Sequence, residues 1–474
     1  MGSINSALSI AAGALDADQA ALNVVANNVA NANTTGYTVE TPNWQENTPI
    51  DINEVQVGDG VTETGATSQR DLVLQQRLDQ QQQLASASGT RLTALDNIQS
   101  LFTVDSGSSS SATAGDIGAD ITSFFDSFSS LEASPTDNAL RESVLSSAST
   151  LAGDISSAAQ SLNAQRSALD QEVSGVASQV NSLTKSIAQL NLEIQSASPN
   201  ADAGTLEDQR QQDLSQLSKL IGINQVTTEN NGLSITTTSG QLLVSEGQSF
   251  QLTTGTVSGV TDFFLGGADI TSGLATGGGQ LSGYLTARDS DIPSALSSLD
   301  QLAYNISTAV NAQNNSGVDL NGTTGTAANP LYIFNEPAAV SGSAASMSVV
   351  MTDPSQIAAA GAGNGTGDNS NAVNIANLAG QSIVAGQTPI NYYSSFVSTL
   401  GAAVSEVQTE NTAQNASVTQ LQTQNNALSS VNLNDEAAAM SKLETSYQAA
   451  SQVFNILNTV MTSVLNLGVQ TAVA

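Results

Sequence analysis

Two apolar stripes with one rhythm stand at opposite ends of this chain, and they constrain its fold more than anything between them. Near the start, Ile4, Leu8, Ala11, Leu15, Leu22, Val25 and Val29 recur at steps of four and three, with Asp18 the one polar residue in the run. Near the end, Met440, Leu443, Tyr447, Ala450, Phe454, Leu457, Met461 and Val464 do the same without a break. Such steps are the a/d pattern of a coiled-coil seam. Two seams at opposite ends most simply meet each other or identical neighbours. The expected inner unit is therefore a coiled coil of residues 1–40 with 430–474.

The rhythm continues between the ends. From Asp137 to Ser198 there is no proline, and Leu151, Ile155, Ala158, Leu162, Leu169, Val173, Val176, Val180, Leu183, Ile187, Leu190 and Ile194 keep helical spacing. Unbroken, such a helix would be about 90 Å long. Thr205 and Asp208 read as a capping box opening a helix through Leu220. Further helices are expected over Leu74–Phe102, Ile292–Val310 and Asn391–Leu428. Two stretches differ. Residues 223–283 alternate short β-branched runs with turn residues, as in an antiparallel sheet. Residues 314–371 are rich in Gly, Ala, Ser and Asn, and read as a second half of that β region in preference to a loose loop. The expected fold is mainly α with a β excursion. It has a helical rod of 41–222 with 284–313 and 372–429, and an outer β domain of 223–283 with 314–371.

Composition removes several functions. The 474 residues include no Cys and no His, so thiol nucleophiles, Ser-His-Asp triads and the usual zinc or haem ligand sets are absent. Lys and Arg total 10 against 42 Asp and Glu, a net charge of −32, which repels nucleic acid and anionic membranes. The uncharged last stretch from Thr445 is interrupted by Asn455, Asn458, Thr462 and Asn466, so it reads as an amphipathic helix and not a membrane span. Met1-Gly2 with Ser6 fits a myristoylation pattern only literally, and no charged leader precedes Ile4. Asp319-Leu320-Asn321-Gly322 lacks the remaining spacing of a calcium loop. No Asp or Glu is marked as one of a paired catalytic set. No cofactor or metal is expected, and no enzyme.

The two ends also carry motifs. Ala20-Ala21-Leu22-Asn23 leads into Asn27-Asn28-Val29-Ala30-Asn31-Ala32-Asn33-Thr34-Thr35-Gly36-Tyr37. Ser430-Val431-Asn432-Leu433-Asn434-Asp435-Glu436 is followed by Ser446-Tyr447-Gln448-Ala449-Ala450-Ser451. In this order they resemble the N- and C-terminal signatures of the bacterial flagellar rod, hook and hook-associated proteins. In the middle, Thr205-Leu206-Glu207-Asp208-Gln209-Arg210 and Gly279-Gln280-Leu281-Ser282-Gly283-Tyr284-Leu285 resemble segments of the members that join hook to filament. One departure is Glu444-Thr445-Ser446, where the family usually has a Phe-Gln pair before its Tyr.

The resemblance implies a structural subunit of the flagellum. It implies self-association in a ring or short helical zone, with hook protein on one side and the next hook-associated protein on the other. It also implies type III export, with a chaperone gripping the C-terminal region, and an extracellular place at the junction. Asn28, Asn31, Gly36 and Tyr37 carry the motif. Their local reading is a helix end and a turn, because Asn and Gly tolerate left-handed backbone. The alternatives are the flagellar hook protein, disfavoured by the helix-rich stretch from Leu74 to Leu220, and a secreted surface-layer or adhesin-like protein, which needs no terminal seams. Ordering each residue costs about 1–2 kcal/mol of backbone entropy, so an isolated pair of seams is expected to be marginal and to be completed by neighbouring copies.

Overall fold

The computed structural model describes residues 2–52, 55–102, 116–197 and 203–471. The chain runs out along a rod and returns. Helix α1 (Gly2–Asn31) leads to a hairpin of β1 (Glu40–Glu46) against β4 (Val61–Ser68), with β2 (Ile50–Ile52) paired to β3 (Val55–Val57) between them. Asp71 starts α2 (Leu72–Ser100), its Oδ1 accepting from the Val73 and Leu74 amides at 3.0 Å. Asp116 caps α3 (Ile117–Glu132) in the same way. Asp137 opens α4 (Asn138–Ala197), a single helix of 60 residues. After α5 (Thr205–Leu220) come two small antiparallel sheets. The first is a meander of β5 (Ile223–Thr227), β6 (Leu233–Thr237), β7 (Leu242–Ser245) and β8 (Gln248–Ser249). The second has β10 (Val260–Leu265) between β9 (Leu252–Val257) and β11 (Ala268–Asp269).

Helices then resume: α6 (Thr271–Ala275), α7 (Gly279–Thr286) and α8 (Ile292–Ser316). A π-helical turn, Ala287–Asp291, joins the last two. It turns Arg288 fully inward, onto Asp170 of α4 at 2.7 Å and the Thr261 carbonyl of β10 at 2.7 Å. After the short α9 (Ser343–Ser346) and α10 (Ser370–Asn377), Thr388 and Pro389 open α11 (Pro389–Ser429), which runs back along α2. Asn432, accepting from the Asn434 amide and donating to Asp435, opens α12 (Leu433–Thr471), which packs on α1.

Helix α4 passes through two separate apolar cores. Its first half, Val144 to Leu162, packs with α3, α8 and the far ends of α2 and α11, around Phe124, Phe128 and Phe334. Its second half, Val173 to Ile194, packs with α5, α7 and the β segment, whose strand β6 buries Leu233, Ile235 and Thr237 on one face. Helix α2 orders these layers. Gln83 exchanges hydrogen bonds with Ile223 of β5, Arg91 forms a two-pronged ion pair with Asp291 at 2.9 Å, and Phe102 closes the helix in the core around Phe124.

This order corrects three expectations. The β strands end at Asp269 and flank the half of the rod nearest the paired ends, so they form no outer tip. Residues 314–371 do not join them: Leu331, Ile333, Phe334 and Ile357 belong to the other core. That segment is irregular but stitched down by buried amides, because a coil laid on a core must satisfy its backbone. Asn311 accepts from the Ile333 and Phe334 amides and donates to the Phe334 carbonyl, and Asn314 bridges Leu331 and Ala358. The third correction is at 40–68, expected within the helical rod. It is the β1–β4 hairpin, laid so closely on α1 that a methyl group on Gly13 would press on the Val61 carbonyl. The turn at Asp319 is also explained: its carboxylate accepts the Asn321 and Thr323 amides at 2.9 and 2.7 Å.

Candidate functional site at the joint of the paired ends

Where α1 ends, the chain must pass from the paired terminal helices into the rod. Asn28 stands at that point, 1% exposed, and uses all four hydrogen-bonding positions of its amide. Its Oδ1 accepts from the Glu40 amide at 3.0 Å and the Tyr37 hydroxyl at 2.8 Å. Its Nδ2 donates to the Glu40 carbonyl at 2.8 Å and to Glu436 Oε2 at 3.2 Å. Pairing with both backbone groups of Glu40 imitates one rung of a β ladder. Only a primary amide supplies two donors and two acceptors in this plane. Glu436 lies in the first turn of α12, so the clasp closes across 408 residues of sequence. Burial, reinforced by the carboxylates of Glu40, Asp208 and Glu436, pushes the Tyr37 hydroxyl well above its ordinary value and keeps it a donor.

The other half of the joint faces α5. Thr38 donates from its amide and hydroxyl to the two Asp208 oxygens at 3.0 and 2.7 Å. Arg70, from the opposite side, donates to Glu207 at 2.6 Å, to Asp208 at 2.8 Å and to the Gly204 carbonyl at 3.3 Å. Gln212 donates to the Thr35 carbonyl at 2.7 Å, and the Val39 amide to the Ser429 carbonyl at 2.8 Å. Residues 35–40 are thus gripped by α1, α5 and the end of α11, and the start of α12 is tied in through Asn28. Gly36 has a φ of 82°, and any side chain there would collide with Gln212.

The paired helices present a different surface. On α12 the seam residues Met440, Leu443, Tyr447, Phe454, Leu457, Met461 and Val464 are all half-buried, and they form its most covered apolar stripe. On α1, Val25 is buried and Ile4, Leu8, Leu15 and Leu22 are half-buried. Val29 is 39% exposed and falls outside the seam, because its place opposite the polar first turn of α12 is taken by Asn28. Among the described residues no three acidic side chains are placed to hold a metal ion, and no helix is long and apolar enough to cross a membrane.

The family described as "Flagellar hook-associated protein FlgK helical domain" matches residues 103–328, and "Flagella basal body rod protein" matches residues 8–38. Flagellar hook-associated protein 1 of Salmonella typhimurium is 25% identical over 98% of this chain and 100% of its own length. That of Bacillus subtilis is 26% identical over 96% of each. The chain belongs to the flagellar hook-associated protein 1 family. The fold agrees: the flagellar hook junction protein FlgK from Burkholderia pseudomallei superposes with a TM-score of 0.64 at 19% identity, covering 73% of this chain and 99% of that one.

In this member of the hook-associated protein 1 family, the motif residues play unequal parts. Asn28, Gly36 and Tyr37 meet in the joint, whereas Asn31 works locally, donating to Asn27 and accepting from the Thr34 hydroxyl. The turn reading therefore suits Asn31 and Gly36 but understates Asn28, which is a tertiary clasp. The expected capping box at Thr205 and Asp208 is corrected as well. Helix α5 starts at Gly204 with no side-chain cap, and Asp208 turns to Thr38 and Arg70. Glu40 and Arg70 went unmarked in the sequence, and Glu207 and Glu436 stood in its motifs without a role. Their one signal was an Arg, rare in this chain, placed just before a helix that meets an acidic first turn.

Proposed function

We propose that this chain is the structural subunit that joins the flagellar hook to the filament, and that filament attachment and assembly need it. As a flagellar hook-associated protein it associates with other flagellar structural proteins, and its role is structural, not catalytic. The observation that carries the reading is the similarity to hook-associated protein 1 across both ends of the chain, where α1 and α12 pair as a unit outside both rod cores.

On this reading the terminal seams, Ile4 to Val25 and Met440 to Val464, are assembly surfaces completed by neighbouring copies in a ring or short helical zone. Support comes from a second apolar stripe on α12, where Val453, Ile456 and Val460 are 50%, 63% and 42% exposed beside an already half-buried seam. An apolar face left to water in one copy is stabilised when another covers it. Hook protein would meet one side of the zone and the next hook-associated protein the other. The chain would leave the cell through the flagellar export apparatus, held at its C-terminal region by a chaperone, and would reside extracellularly. Division into a terminal coiled-coil unit, a rod and a β-bearing part belongs to the same proposal, with the β part beside the near half of the rod.

Deleting the gene and assaying flagellin on cells against medium tests the role, with hooks viewed by electron microscopy. Intact bare hooks with flagellin shed into the medium are expected. Missing hooks would move the protein inward to hook or rod, and unchanged filaments would overturn the reading.

A further inference from the structure

The sequence contains three Asn-Gly bonds, at 231–232, 321–322 and 364–365. At such a bond the backbone nitrogen after the asparagine can attack the side-chain carboxamide, because glycine brings no Cβ to block the approach. The attack needs an available Gly N–H and room for the ring that forms, and the fold treats the three bonds differently. Gly232 is buried, its amide donates to the Glu229 carbonyl at 3.1 Å, and a methyl group there would collide with Thr228 and Gln195. Gly322 is exposed, but its amide donates to the Asp319 carbonyl at 3.1 Å. The Asn321 carboxamide is tied down as well, donating to Ser355 Oγ at 3.0 Å and to Asp319 at 3.4 Å. Gly365 has neither restraint. It is exposed, its amide makes no hydrogen bond among the described residues, and nothing lies within 4 Å of where a Cβ would stand.

Asn364 itself is exposed, and its carboxamide hydrogen-bonds to Asp368. The same carboxylate accepts from the Gly361 amide at 2.7 Å and from the amide and hydroxyl of Ser370. We propose that Asn364 is a site of spontaneous modification in the folded protein, losing its amide through a cyclic imide formed with Gly365. The Gly365 nitrogen gives its proton to hydroxide and forms a bond to Asn364 Cγ. The Cγ–Nδ2 bond breaks, and ammonia leaves with a proton taken from water. Water then opens the ring at one of its two carbonyls. Attack at Cγ gives aspartate on an unchanged backbone, and attack at the backbone carbonyl gives isoaspartate, with the chain running through the former side chain. Either product replaces a donor beside Asp368 by a carboxylate. Two like charges so close repel, so the turn at 361–370 loosens where it leads into α10, whose Ala372 and Ile375 are buried in the far core. The site is independent of self-association and of the junction role.

Hydroxylamine opens the same cyclic imide and cuts the chain there, so it reports which of the three bonds can close the ring. In unfolding guanidinium all three should be cut, which shows that the chemistry works at each. In the native protein, with helical circular dichroism unchanged, cleavage at 364–365 should outrun the other two by at least about tenfold, because those react only through local opening. Fragment masses identify the bond. Native cleavage that is equal at all three, or as slow at 364–365 as at 321–322, would overturn the proposal. A second measurement needs no hydroxylamine. Purified protein aged at mildly alkaline pH should gain a more acidic form on ion exchange, at a rate that rises with hydroxide, with aspartate and isoaspartate at 364 by fragmentation mass spectrometry. Asn364→Gln, whose longer side chain closes this ring poorly, should lose that form. An acidic form that persists in Asn364→Gln at the same rate would place the chemistry elsewhere and overturn the assignment.

Discussion

Helices α4 and α12 share one heptad rhythm and have opposite surroundings. On α4 the stripe vanishes from solvent: Val144, Leu151, Ile155, Leu162, Val173, Val180, Ile187 and Ile194 are all 0% exposed. On α12 no apolar side chain among the described residues is fully buried, and the one buried residue is the carboxylate Glu436. Rhythm alone therefore does not separate a core helix from an interface helix. What differs is the rest of the surface. Ser, Gln, Asn and Asp cover most of the outer face of α4, whereas α12 repeats Val453, Ile456 and Val460 outside its seam. A single stripe is satisfied within one chain, and a second stripe asks for another.

One substitution made in both helices exposes this difference most strongly. Leu151→Ala removes a fully buried side chain from the core around Phe124. It should cost the monomer about 2–5 kcal/mol, the usual range for transfer plus cavity. Leu457→Ala touches a half-buried seam position, and it should cost the monomer less than about 1 kcal/mol. Urea unfolding of the two purified variants measures both. Filament attachment in cells should reverse the ranking of harm once the smaller stability loss of Leu457→Ala is considered. Equal losses in urea would mean that α12 is as well packed in the monomer as α4.

The joint sharpens the same contrast, because there the terminal pair is held by polar geometry and not by a core. Asn28→Ala strands the Glu40 amide and carbonyl and leaves Glu436 buried without its donor. A fully buried unmet group costs about 1–3 kcal/mol and water reaches the part-buried Glu40 groups, so the terminal pair should loosen by about 2–4 kcal/mol while the rod keeps its stability. Hydrogen exchange reads this directly. Amides of α1 and α12 should lose protection in the variant, and those of 144–162 should not. Uniform loss along the chain would mean that the pair and the rod unfold as one unit.

How much of this was legible in the sequence follows from how local each cause is. Helical spacing is a property of one segment, so α2, α4, α5, α8, α11 and α12 could be read almost to their ends. The spacing of Ile117, Ile121, Phe124, Phe128 and Leu131 carries α3 equally well, behind the Asp116 cap. The hairpin at 40–68 and the coil at 314–371 were not legible, because what orders them lies elsewhere: α1 under the hairpin, and Asn311, Asn314 and Asn371 under the coil. At the joint, the motif pointed to Asn28, Asn31, Gly36 and Tyr37. Asp208 and Glu436, 170 and 408 residues from their partners, leave no spacing to follow.

A smaller effect tests the near core. Asp79 of α2 is 2% exposed, and both Gln211 of α5 and Gln225 of β5 donate to it at 3.0 and 2.9 Å. Burial outweighs these bonds and pushes its carboxyl up to about 6. A carboxyl raised on folding favours the fold fully below its unfolded value near 4, and that contribution is lost as pH rises through about 6. Asp79→Asn should thus stabilise the protein above pH 6 by on the order of 2 kcal/mol and change little below pH 4. Thermal melts across that window measure it, and a pH-independent difference would mean that Asp79 is not the group that titrates.

The weakest expected effect concerns how copies meet. The net charge of −32 is carried by every copy, so bringing two together works against repulsion that the seams must offset. Salt screens charges beyond about 10 Å at 0.1 M and about 8 Å at 0.15 M. Sedimentation of the purified chain at about 0.01 M and about 0.15 M salt should therefore show association strengthening by a few-fold. The sign is informative in itself. If ion pairs between copies held the assembly, added salt would weaken it. If only the apolar stripe of Val453, Ile456 and Val460 mattered and repulsion were negligible, salt in this range would change nothing. Strengthening alone fits an apolar contact closed against a shared negative charge.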